Sequence, residues 1–155
     1  MSAKNFTCLL SRQDSKAMRR ILKIPLKTAV NFHGHLGPYL VLGLLMGEYA
    51  LEKIKARPHF GLEVKVWGAK NKPKSCLIDG LQLSTGCTYG KGNITKYDGK
   101  VIKVNFRDLK TTKELTVFLS EETLERLKSA VDHLTSEKIA VEFYKKEVRS
   151  IFLSR

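Results

Sequence analysis

Two segments carry most of the side chains whose types and spacing could do chemistry. The first is Phe32-His33-Gly34-His35-Leu36-Gly37-Pro38. Histidines at i and i+2 point to opposite faces of a regular strand, but in a turn flanked by glycines their rings can converge on one point. His35 also stands beside a helix start at Pro38, where unsatisfied amides and the helix dipole favour an anion or a metal-bound hydroxide. Neutral imidazoles are donors suited to zinc, iron, nickel or copper; the same pair also reads as the hydrogen-bonding groups of a plain turn. The second segment is SCLIDGLQLSTGCTYGKGN, from Ser75 to Asn93. Cys76 and Asp79 share one helix face at i,i+3, and Cys87 follows at the helix end. Thiolates and imidazoles together suit a tetrahedral site. No CxxC occurs in the chain, so any such site is assembled from distant segments.

The same segment closes on a glycine-rich stretch. Compared with the phosphate loop GxxxxGK[ST], Gly86 stands one residue too close, and Gly92 replaces the hydroxyl that should hold magnesium. The backbone around Gly90, Lys91 and Gly92 is still a candidate anion nest, with a tight turn into the next strand as the alternative. His59, in a proline-containing loop, and His133, near a helix end, lack partners in sequence and read as surface or structural residues. Cys8 reads as a plain apolar residue.

The elements that must position these groups follow from periodicity and punctuation. A short helix is expected over Ser15 to Leu22, then a segment from Pro25 to about Phe32. Pro38 suits the first position of a long apolar helix, Tyr39 to about Lys55. Gly43 and Gly47 leave one stripe of that helix without side chains, open to a close backbone neighbour or to a homodimer or larger complex. LEVKVW, Leu62 to Trp67, alternates as a half-buried strand. Further strands are expected at Ile94 to Tyr97, Lys100 to Phe106 and Leu115 to Leu119, with Asp98-Gly99 as a hairpin signal. A helix from Ser120 to about Leu134 and a last one from Glu137 to about Phe152, capped by Thr135 or Ser136, complete the chain. The pattern is a single α+β domain over residues 1–155: an antiparallel sheet in the middle of the chain, packed by a central glycine-containing helix and C-terminal helices.

Composition narrows the class. The 155 residues carry a formal charge of +13 and are 43% hydrophobic, too apolar for a disordered basic tail. Three cysteines exclude a disulfide framework and fit a reducing, cytoplasmic setting. The uncharged stretch through Asn31 to Gly47 is interrupted by histidines, glycines and a proline, and falls short of the ~20 apolar residues that span a bilayer. Basic groups outnumber acidic ones 7 to 1 in residues 1–30 and 10 to 4 in residues 61–110, but balance at 8 each in residues 111–155. A nucleic-acid binder without catalytic activity is therefore the alternative reading, although no helix-turn-helix, aromatic RNA motif or arginine stripe supports it. A positive field of this kind equally suits an anionic pterin, a phosphate-bearing cofactor or an acidic partner.

Taken together, FHGHLGPYLVLGLLMG (Phe32 to Gly47) and CLIDGLQLSTGCTYGKGNI (Cys76 to Ile94) resemble the paired signatures of the FmdE family of formylmethanofuran dehydrogenase proteins, over about residues 25–110. The resemblance implies an α+β domain in which His33, His35, Cys76 and Cys87 surround a metal cleft, with Asp79 close by as proton carrier or orienting group. The implied ion is divalent, zinc first, with iron or nickel compatible. The implied setting is a larger redox complex, in which the protein is accessory to a molybdenum- or tungsten-pterin enzyme of one-carbon metabolism. There are two departures. Many members have Cys-Pro after the second histidine, where Gly37-Pro38 stands here. No cysteine follows Cys87, so the cysteine-rich zinc module of many members is expected to be absent, and about 120–153 reads as a helical extension.

Overall fold

The computed structural model describes residues 24–155; the helix expected over Ser15 to Leu22, and Cys8, lie outside them. Six helices and five strands follow in order: α1 (Leu26–His33), α2 (Pro38–Ile54), β1 (Leu62–Trp67), α3 (Cys76–Thr85), β2 (Ile94–Tyr97), β3 (Lys103–Asp108), β4 (Glu114–Leu119), α4 (Glu121–Lys128), α5 (His133–Lys145), α6 (Val148–Ile151) and β5 (Phe152–Ser154). The fold is α+β, as the sequence pattern predicts. The sheet runs β2-β1-β3-β4-β5 and is antiparallel except for the pair β1–β2. The alternation of LEVKVW becomes an alternation of buried and half-buried positions, placing Leu62, Val64 and Val66 on the core face with Val104, Phe106 and Val117.

α2 is the centre of the core. Eleven of its 17 residues are buried, because it packs on the sheet with one side and on α3 and α5 with others. The glycine stripe is what admits α3. A Cβ on Gly43 would overlap the Leu77 carbonyl, one on Gly80 would overlap the Leu40 carbonyl, and one on Gly47 would overlap the Ser84 hydroxyl. Ser84 Oγ donates across the crossing to the Gly43 carbonyl at 3.2 Å and within its own helix to that of Gly80 at 2.9 Å. The stripe expected to admit a close backbone neighbour is thus filled by α3 from within the chain.

Three local expectations are corrected. Asp98-Gly99 does not join a hairpin: β2 lies parallel to β1 on one side, and β3 runs antiparallel to β1 on the other. The connection must pass over the end of β1, where Gly68 at φ +74° has no room for a Cβ beside the Val101 carbonyl. The expected helix from Ser120 breaks at residues 129–132, and Asp132, rather than Thr135 or Ser136, caps α5 by accepting from Thr135 N at 2.8 Å. The last helix ends early, and Phe152–Ser154 adds a fifth strand on β4, Phe118 opposite Leu153. Among the described residues no helix is long and apolar enough to cross a membrane.

Candidate metal centre

His33 closes the last turn of α1. The chain then reverses through Gly34, whose φ of +99° is left-handed and whose N–H bonds back to the Val30 carbonyl at 2.7 Å. Gly37 and Pro38 start α2 three residues later. This short connection holds His33 and His35 on the same side, their ring centroids 4.5 Å apart and tilted by 42°. Cys76, the first residue of α3, is brought to them because α3 packs into the glycine stripe of α2. One ligand atom from each of His33, His35 and Cys76 lies within 4.8 Å of the others.

Asp79 sits one turn along α3 from Cys76. His33 Nδ1 donates to Asp79 Oδ2 at 2.6 Å; a carboxylate only accepts, so the proton of a neutral imidazole resides on Nδ1. His33 Nε2 is then left with a lone pair, and this atom is buried without a hydrogen-bond partner. The His33 side chain is only 9% exposed. Buried polar atoms are ordinarily satisfied, and a carboxylate on the far nitrogen of an imidazole is the usual companion of a metal-ligating histidine. The donor set and its orphaned atom therefore fit a metal ion.

The surrounding charges tune the donors. Burial first, then the His33 and His133 rings and the Lys72 ammonium, hold the His35 imidazole below its ordinary value against an opposing pull from Glu137. His35 is accordingly a neutral donor near pH 7. Burial and then the Asp79 carboxylate push the Cys76 thiol up, while Lys72 and a backbone amide pull it back. Lys72 belongs to the loop before α3, where Lys70, Lys72 and Lys74 with Asp98 line a cleft of about 320 Å³.

Other expected site residues are placed elsewhere. Cys87 does not join the cluster. The ten residues of α3, at 1.5 Å each, put it about 15 Å or more from Cys76. Its buried thiol donates instead to the Leu62 carbonyl at 3.3 Å and the His59 carbonyl at 3.7 Å. The turn around Gly90, Lys91 and Gly92 closes on itself. The Lys91 ammonium donates to the Gly86 carbonyl at 2.6 Å, and the amides of Lys91 and Gly92 both donate to the Thr88 carbonyl. Three donors of the expected anion nest are thus turned inward. Asp79, expected as proton carrier or orienting group, has one oxygen bonded to His33 and the other 3.4 Å from Gln82 Nε2, the geometry of an orienting group. Gln82 is legible in sequence as the i+3 neighbour of Asp79 on the same helix face; Lys72 and His133 carry no such signal.

Comparison with known proteins bears on the family and the fold. Residues 32–152 match the family model described as FmdE, molybdenum formylmethanofuran dehydrogenase operon, a segment that includes the C-terminal helices. A solved structure of a tungsten formylmethanofuran dehydrogenase FmdE-like protein from Syntrophus aciditrophicus superposes with a TM-score of 0.63 at 23% identity, covering 84% of this chain and 68% of that one. A probable S-adenosyl-L-methionine-binding protein of Archaeoglobus fulgidus is 34% identical over 89 residues, which is 55% of this chain and 22% of that protein. The chain thus spans about a fifth of the length of that curated relative.

Proposed function

The chain belongs to the FmdE family, and from that premise we propose that it binds one divalent transition metal on His33, His35 and Cys76 and serves one-carbon redox metabolism as an accessory protein. The observation that carries the metal reading is the buried, unpartnered Nε2 of His33, with Nδ1 fixed by Asp79. Two imidazoles and a thiolate favour zinc, and the same donors accept iron or nickel. Two ligands of a tetrahedral zinc lie about 3.5 Å apart, so donors already within 4.8 Å of one another need close by no more than about 1 Å to hold an ion. When bound, an ion with three protein ligands supplies Lewis acidity at its remaining position.

The protein's own residues prepare that position. Asp79 orients His33, and Gln82 steadies Asp79. His35 is held neutral, and Lys72 gives the site a positive approach. The lysine-lined cleft in the loop before α3 suits an anionic substrate, cofactor or acidic partner surface. The place in formylmethanofuran metabolism rests on the names of the family and of its structural neighbour. Elemental analysis of protein purified without a histidine tag tests the metal reading: about one ion per chain in the wild type and in Cys87→Ser, and far less in His33→Ala. Metal absent from the wild type, or unaffected by His33→Ala, would overturn it.

A further inference from the structure

The three clustered donors leave a tetrahedral ion one ligand short, and the fold brings one more imidazole to their edge. His133 opens α5, and its ring centroid lies 6.4 Å from that of His35, tilted by 43°. His35 therefore has two imidazole rings near it, those of His33 and His133. These two histidines share a second feature. Each has Nδ1 near a carboxylate: His33 is hydrogen-bonded to Asp79, and His133 lies 3.7 Å from Glu137 Oε1, one helical turn along α5 and beyond hydrogen-bond distance. An imidazole whose Nδ1 faces a carboxylate keeps Nε2 for another partner.

We propose that His133 completes the coordination sphere as the fourth protein ligand, its ring swinging inward once the ion is held by His33, His35 and Cys76. Relative to His35 the required movement is small. At a Zn–N distance of about 2.0–2.1 Å, two ligating rings of a tetrahedral site have centroids about 5 Å apart, so His133 must approach His35 by about 1 Å. Its side chain is 70% exposed and exchanges rotamers freely, unlike the buried His33. No other described histidine competes: His59 packs against Gly86, toward the opposite end of α3. Cys87, the other donor expected in sequence, is bonded to backbone carbonyls at that same end. A ligand on the rim of the site is also the one that an incoming anionic molecule can displace, so the centre is closed at rest and opens at His133.

This inference rests on the metal reading and is tested separately from it. Cobalt(II) is loaded into the tag-free protein, and the hyperfine-shifted imidazole N–H protons are counted by NMR in wild type and His133→Ala. Affinity is measured in parallel by chelator competition. Three shifted N–H signals are expected in the wild type and two in the variant, with cobalt bound about 10–100-fold more weakly. His133→Cys should restore affinity and add a second thiolate-to-cobalt absorption. Since position 133 is exposed, the melting temperatures of the metal-free variants should match that of the wild type. Two signals in both proteins with equal affinity would overturn the role of His133 and leave the three-donor site standing. A wild type that binds no cobalt would overturn both.

Discussion

At the scale of single residues, the site depends on one hydrogen bond. Asp79 fixes the tautomer of His33 and aims Nε2 at the cluster. Asp79→Ala should therefore lower zinc affinity about 10–100-fold, read by chelator competition, with little change in metal-free melting. An unchanged affinity would contradict the orienting role. Asp108 supplies a second test, of stability. Its carboxylate accepts from Thr111 Oγ1 at 2.6 Å and Lys110 N at 3.0 Å, and these bonds hold its pKa down. A carboxylate depressed on folding contributes stability above its unfolded value of about 3.9 and loses it as pH falls through the folded value. Asp108→Asn should melt below the wild type at pH 7, with the gap closing under acid conditions; a gap constant with pH would contradict the assignment. Of the residues that sequence singles out, His33, His35, Cys76 and Asp79 do meet. Cys87 does not join them, because a cysteine in a glycine-rich turn looks the same in sequence whether its thiol faces a cleft or a carbonyl.

At the scale of elements, the crossing of α2 and α3 does the positioning. It brings Cys76 beside a histidine turn far earlier in the chain, and it works only because Gly43, Gly47 and Gly80 bring two backbones together. Gly80→Ala places a methyl against the Leu40 carbonyl and should cost about 1–3 kcal/mol, measured by the denaturant midpoint. Metal affinity should fall as well, since a displaced α3 carries Cys76 with it; a fully stable variant would contradict the packing. The helices and the alternating strand are legible in sequence because each has a period of its own. Strand neighbours are not. Asp98-Gly99 has hairpin chemistry, yet the pairing of β2 with β1 is decided by where the α3 crossover returns the chain. Phe152–Ser154 is too short for any period, and takes its conformation from the edge of β4.

At the scale of the whole molecule, the candidate centre ties three parts of the fold together: the α1–α2 turn, the start of α3 and, through His133, the start of α5. An ion there binds the folded chain only. Saturation at 100 times the dissociation constant should therefore stabilise the protein by about 2.7 kcal/mol, seen as a raised melting temperature that chelator reverses. Zinc without effect on melting would count against a site that spans these elements. The charge of +13, which first suggests nucleic acid, reads differently beside this centre: Lys70, Lys72 and Lys74 line a cleft in the loop that leads into α3. The most direct test is a crystal of zinc-loaded protein with diffraction measured at the zinc edge. An anomalous peak about 2.0–2.3 Å from His33 Nε2, a His35 ring nitrogen and Cys76 Sγ is the predicted result. A peak at Cys87, or none between the two histidines and Cys76, would contradict it.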